Sequence, residues 1–481
     1  MITRRRFAAG AAALLVAPPA FAAGIWPNWA DRLRRRLDRM AMELTTKVTP
    51  WSGPSLTVGP ERFGCSIQAA IDHVSAQGGG TVLLAEGDYV SGTIDLRSHV
   101  RLQVAKGARL LGSLSLADYP ERVARRPTVM DSNMGMHQSL IFAEGCENIA
   151  LAGEGIIDGR GTAEHFPGPE GSGRTPGRPF LIRVIDCQGV HVQGLTLRDS
   201  ACWMQDYLNC DRLLIEDLIV DNQANVNNDG CDIDGCRDVI VRDCLINSED
   251  DGLCFKGASQ RPTERVLVEN CRIYSTCNPL KLGTDSQSPF RDVLVRNVEL
   301  GGPGQSMRAL RRRRAESGVS WEIVDGGIAE NVLCTGIHIV RADSPLFLRL
   351  GDRGRVRPEQ ERPPAGRMRR IVFDGITGTD NGAHGSYFTG LPGHRIEDVA
   401  LRGVDLGVGA AETPALDQAA IAEMPAVYPG APMVRGPIPA FGLWARHVEG
   451  LTLQDVRFVP AGPETRPEVL ADFDVKGLVR G

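Results

Sequence analysis

One eight-residue pattern recurs down the chain: alternating aliphatic residues, a polar pair, then another apolar position. It reads VHVQGLTL at 190–197, LLIEDLIV at 213–220, VIVRDCLI at 239–246, VLVENCRI at 266–273 and VLVRNVEL at 293–300. Later copies are IVFDGITG at 371–378, VALRGVDL at 399–406 and LTLQDVRF at 451–458. The first five starts are separated by 23, 26, 27 and 27 residues. Alternation is the period of a strand, and a steady spacing in this range belongs to solenoids. Such a unit has no room for a crossover helix, so hairpins or a parallel coil remain. In a coil, each turn stacks on the last at about 4.8 Å. The predicted fold is all-β: a single-stranded parallel β-helix forming one elongated domain.

Stacking turns matching positions into columns. Leu195, Leu218, Cys244, Cys271 and Val298 fall in one column, and Cys187, Cys210 and Cys236 in another. The twelve cysteines contain no CxxC pair and no zinc-type spacing, so most read as small apolar residues packed in a narrow core. A coil also needs its open end covered. In SIQAAIDHVSAQ, residues 66–77, Ile67, Ala70, Ile71 and Val74 recur at helical spacing, which predicts an amphipathic N-terminal cap helix. The wider gaps, 293 to 371 and 404 to 451, read as insertions. The runs RALRRRR (308–314) and RVRPEQERPPAGRMRR (355–370) read as surface loops.

Against this frame the acids stand out. NNDGCDIDG (227–235) and SEDDGLCFKG (248–257) align without gaps, with Asp229 lying 21 residues before Asp250 and 22 before Asp251. Those distances are about one turn, so the three carboxylates are expected on neighbouring turns at one strand edge. Clustered carboxylates force their proton affinities apart, and an acid beside a base is what glycosidic hydrolysis needs. Alternation turns Asp232, Asp234, Cys254, Lys256 and Lys281 outward beside the acids, as for a groove holding a hydroxylated chain. Asp234 and Lys256 read equally well as a stacked surface ion pair. Glu249 reads as a solvated turn residue. His137 and Trp203 fall where cleft residues or structural ones would lie, and His447 reads as a packed residue.

The first residues are of another kind. Arg4, Arg5 and Arg6 precede an apolar run from Phe7 to Val16, then Ala20-Phe21-Ala22, which fits a twin-arginine export signal over 1–22. The expected organisation is that signal, an N-terminal extension over 23–60, and a β-helix domain over 61–481. The expected location is periplasmic or secreted. A net charge of −5 and low aromatic content give no pull toward nucleic acid or an anionic membrane.

With these motifs placed, the chain resembles glycoside hydrolase family 28, the polygalacturonase and rhamnogalacturonase family. The resemblance runs through SIQAAID, GGGTVLLAEGDYVSG, GEGIIDGRG (153–161), NNDGCDIDG, SEDDGLCFKG, LKLGTDS (280–286), SPLFLRLGDRGR (344–355) and IPAFGLWARHVEGLTLQDV (438–456). It implies a right-handed coil, inversion at the anomeric carbon, a pectin-type polysaccharide or oligosaccharide substrate, and neither metal nor other cofactor. It also implies Asp250 as general acid, Asp229 and Asp251 as the pair activating water, and Asn227 as the residue orienting ligand or carboxylate beside them.

Two family motifs differ here. Asn278 replaces the histidine of a Gly-His-Gly motif, and Glu322, in SWE (320–322), falls where an Arg-x-Lys motif grips a galacturonate carboxylate. Either other cations substitute, with Lys256, Lys281, Arg349 and Arg353 as candidates, or the bound sugar is neutral. Exo action by closure of one groove end stays open. A β-helix polysaccharide lyase and a carbohydrate-binding β-helix that has lost catalysis are the other readings.

Overall fold

The computed structural model describes residues 25–129, 137–168, 177–356 and 360–481, so the signal expected at 1–22 lies outside the described residues. Between them the strands pair in parallel, coil upon coil. Val190 pairs with Leu213, and the column runs on through Val239, Val266, Val293, Val332, Ile371, Val399 and Leu451. These residues are buried in one continuous apolar core.

The polar pair in each repeat explains how the chain turns. Its second residue is Gly194, Asp217, Asp243, Asn270, Asn297, Gly375, Gly403 or Asp455, each with φ between 52° and 76°. That left-handed conformation costs least for Gly, Asn and Asp, which is why the repeat alternates among those three types.

The inward cysteines behave as expected. Leu195, Leu218, Cys244 and Cys271 each accept a backbone hydrogen bond from the next turn, and Cys146 joins Cys187, Cys210 and Cys236 in the second column. All twelve thiols are free, and all but Cys65 and Cys277 are buried.

The cap helix, Ile67–Ala76, is labelled α2 because a longer helix, α1 (Asn28–Lys47), precedes it. Ser66 Oγ accepts from Ala69 N at 3.1 Å, capping α2, whose buried residues are Ile67, Ala70, Ile71 and Val74. The residues described from 25 to 60 contact the coil in two places. Thr57–Val58 pairs with Thr81 and Val82. α1 lays Leu33, Leu37, Met40 and Leu44 over an outward-facing column of Leu214, Ile240, Leu267, Leu294, Leu333, Val372 and Ala400.

Two loop readings need correction. The 293–371 gap holds a further coil, Ile328–Val340, so it is not all insertion. The 355–370 stretch does not stay in a loop, because the chain rejoins the sheet with Arg367–Thr379. The 308–314 run is the surface loop expected, tied down by acids on several turns. Arg308 meets Asp199 at 2.8 Å and Asp221 at 3.1 Å, Arg311 meets Glu249 at 2.6 Å, and Arg314 meets Asp343 at 3.0 Å.

Candidate active site

Register alone brings the acids together. Cys231 pairs with Leu253 and Asp234 with Lys256, which places Asp229 beside Asp251 on the next turn. Backbone bonds extend this column: Met204 N donates to Asp229 O, Gly230 N to Asp251 O, and Gly252 N to Asn278 O. Trp203, Asp229, Asp251 and Asn278 therefore stack at one edge, just before the strands Cys231–Asp234, Leu253–Gly257 and Leu280–Ser286 begin. Asp250 adjoins them in sequence. One carboxylate oxygen each from Asp250 and Asp251 lies with Cys277 Sγ within a mutual 4.8 Å.

Their surroundings differ. Asp251 accepts from Asn278 Nδ2 at 2.8 Å and faces Lys281 Nζ at 2.9 Å. Burial would raise its carboxyl, but Lys281, Lys256 and the Asn278 hydrogen bond together hold it below the ordinary range. Asp250 is raised by burial and then by the charge of Asp251. Asp229 is pushed well up by burial and by Asp232; its Oδ1 is buried without a hydrogen-bond partner, and its Oδ2 lies 3.5 Å from Lys256 Nζ. The cations thus pull one carboxyl down while the two beside it are raised.

Asn227 is the fulcrum of a positioning chain. It sits at φ 53°, a conformation asparagine tolerates. Arg178, fully buried, donates to Asn227 Oδ1 at 2.9 Å, and Asn227 Nδ2 donates to Asp250 Oδ2 at 3.4 Å. The backbone of Asp250 is held as well, its carbonyl accepting from Ser248 Oγ at 3.0 Å and from Ser275 Oγ.

The two lysines are bound within the site. Lys256 Nζ lies 3.1 Å from Asp232 and 4.0 Å from the centre of the Trp203 ring. The expected Asp234–Lys256 surface pair is therefore not formed, because both side chains are buried and Asp234 Oδ1 accepts from Ser259 N at 3.0 Å. Lys281 Nζ also approaches Glu322 at 3.8 Å. Glu322 is fully buried; Ser320 Oγ donates to its Oε1 at 2.7 Å, and burial pushes its carboxyl up to about 7 against the pull of Lys281.

The remaining candidates divide. Arg349 points away from the acids and donates to the Glu423 and Met424 carbonyls at 2.6 and 3.1 Å. Arg353 pairs with Asp325, its Nε 2.9 Å from Oδ1. Glu249 is not a solvated turn residue: it is buried, paired with Arg311, and raised by burial and then by Asp250 to about 7. Trp203 roofs Lys256. His447 is packed between Asp474 at 2.7 Å and Glu423 at 3.1 Å. His137 leads into the strand Ser139–Glu144, and its carbonyl accepts from Arg122 N. Sequence reasoning missed Arg178, which sits in an unremarkable GRPF segment. It also missed Tyr428, an exposed ring 5.8 Å from Lys281 Nζ and 5.9 Å from the Arg353 guanidinium, carried by an insertion with no periodic pattern.

Comparisons with known proteins place the chain in a family. The family model for glycosyl hydrolases family 28 matches residues 93–309. A polygalacturonase of Ralstonia nicotianae is 31% identical over 394 residues, covering 70% of this chain and 72% of that protein. The chain belongs to glycosyl hydrolase family 28. A Vitis vinifera relative described as a "Probable polygalacturonase" is 26% identical over 293 residues; the match spans 56% of this chain and 56% of that one. Among solved structures, an exopolygalacturonase from Thermotoga maritima matches with a TM-score of 0.65 at 20% identity, covering 77% of this chain and 91% of that one. A family 28 exopolygalacturonase from Yersinia enterocolitica matches with a TM-score of 0.62 at 17% identity, covering 89% and 78%. These two likenesses agree on the family 28 fold, the right-handed parallel β-helix.

Proposed function

We propose that this chain is an inverting glycoside hydrolase acting on a pectin-type polysaccharide or its oligosaccharides. The observation carrying the reading is the stacking of three carboxyls at one edge with opposite pulls on neighbours: Lys281 at 2.9 Å holds Asp251 below the ordinary carboxylate range, while burial and the Asp251 charge raise Asp250. In the proposed mechanism Asp250 protonates the glycosidic oxygen as the bond breaks. Asp251 takes a proton from water attacking the opposite face of the sugar and becomes neutral while Asp250 is left a carboxylate, and Asp229, beside Asp251, shares in holding the proton taken from water. Asn227 keeps Asp250 oriented. The relatives' printed names, polygalacturonase and exopolygalacturonase, support the substrate class.

Exo action is part of the proposal. The 409–442 insertion is pinned to the coil by Arg349 and by Arg446, which donates to the Ile421 and Ala422 carbonyls at 2.8 and 2.9 Å. That anchorage brings Tyr428 over Lys281, where it would close one end of the groove. The arginine pair and apolar run at the N-terminus support export to the periplasm or beyond, and among the described residues no helix is long and apolar enough to cross a membrane.

The Asp250→Asn variant tests the assignment. It should melt like the wild type and lose ~10²–10⁴-fold in turnover, the usual contribution of a general acid. Wild-type rates in a folded Asp250→Asn protein would end the proposal.

A further inference from the structure

Resting on that reading, the charges around the acids say something more specific about the sugar. A uronate ring seated there would bring its own carboxylate and would need a cation free to meet it. Each of the four cations that might serve is already engaged. Lys256 lies between Asp229 and Asp232, Lys281 between Asp251 and Glu322. Arg353 is paired with Asp325, which is fully buried, and Arg349 is spent on the carbonyls of the 421–424 segment. Arg355 and Arg312 are likewise engaged, with Asp285 and Asp343. The buried groups at the acids are Asp229, Asp232, Glu249, Asp251 and Glu322, with Asp250 beside them, against Lys256, Lys281 and Arg178, whose guanidinium is committed to Asn227 Oδ1 and the Ala201 and Val226 carbonyls.

We propose that the sugar whose glycosidic bond is cleaved is uncharged, and that Glu322, acting through Lys281, excludes a uronate from that position. A further carboxylate here would be desolvated beside fixed acids, which costs heavily without a counter-ion. Glu322 makes the exclusion specific because it takes up the charge that Lys281 would otherwise turn toward the ring. A neutral ring is suited to what remains: Asp229 Oδ1, at the strand edge, is buried without a hydrogen-bond partner, and a sugar hydroxyl would supply one. Pectin-type chains contain such neutral sugars among their uronates, so the substrate class is kept and the cleaved residue within it is named.

The test uses the purified chain on three probes: trigalacturonate, the same oligosaccharide carboxyl-reduced to its galactose form, and rhamnogalacturonan oligosaccharides ending in rhamnose. Products are separated by anion-exchange chromatography. At least one neutral-ended probe should be cleaved with kcat/KM tenfold or more above trigalacturonate. The Glu322→Gln variant, close in shape, should shift that ratio at least tenfold toward trigalacturonate at an unchanged melting temperature. Galacturonate released from trigalacturonate as efficiently as neutral sugar from the others, with the rate abolished in Asp250→Asn, overturns the neutral-sugar inference and leaves the hydrolase reading standing. An unchanged ratio in folded Glu322→Gln overturns the role of Glu322. Cleavage of none of the probes by folded protein, or cleavage that survives Asp250→Asn, overturns both the inference and the function on which it rests.

Discussion

Replacing Lys281 by methionine removes the charge that keeps Asp251 ionised while preserving most of the side chain's volume. Lys281 Nζ lies 2.9 Å from Asp251 Oδ2, with the two side chains 4% and 5% exposed. At an effective dielectric of about 20, attraction across such a gap is about 6 kcal/mol, an upper bound before desolvation is subtracted. Breaking a buried pair from one side costs about 3–5 kcal/mol, because the remaining charge is left uncompensated. The sign follows from the direction of the shift. Asp251 is held below its unfolded value, so its pairing stabilises the fold above that value, about 3.9, and the contribution is lost as pH falls through the folded value. Lys281→Met should therefore cost about 3 kcal/mol in urea denaturation at pH 7 and progressively less as pH falls below about 3.9. A carboxylate freed of a fixed cation rises by ~1–3 units. The acid limb of kcat/KM against pH should move up by about that much, since Asp251 must be ionised to accept a proton from water. A folded variant losing under about 1 kcal/mol with an unmoved acid limb would refute the assignment of Asp251 as the ionised member.

Two further outcomes concern the scaffold. Leu37, fully buried on the inward face of α1, should cost about 2–5 kcal/mol on truncation to alanine in urea melts, with kcat unaffected because the helix lies away from the acids. The thiols should be silent: Ellman's reagent should label Cys65 rapidly in the native protein and the buried thiols only in denaturant, and a reductant should leave the melting temperature unchanged.

The coil, its cap helix and the acid stack were legible because each rests on register. A repeat that alternates and a gapless match between DGCDID and DGLCFK determine which side chains become neighbours across about 4.8 Å, whatever surrounds them. The α1 contact was harder to see, yet a signal existed. The middle residues of LLI, VIV and VLV are as apolar as their neighbours, although alternation sends them outward, which marks a face covered by another element. The coil at Ile328–Val340 was missed because VLCTGIHI carries Cys and Thr-Gly where its neighbours carry larger or charged residues. What the acids touch depends on long-range partners. That Glu249 meets Arg311, that Arg349 holds the 421–424 carbonyls, and that Arg178 steadies Asn227 follow from loops folding back across turns. No local pattern encodes these contacts.

The account rests on an acid and a base working from opposite sides of one glycosidic bond. Proton NMR of the first reducing sugar released, recorded before mutarotation equilibrates it, reads this directly. The expected product is the anomer opposite to that of the bond cleaved. The same anomer would mean a carboxylate had bonded to the sugar, and the roles given to Asp229, Asp250 and Asp251 would be wrong.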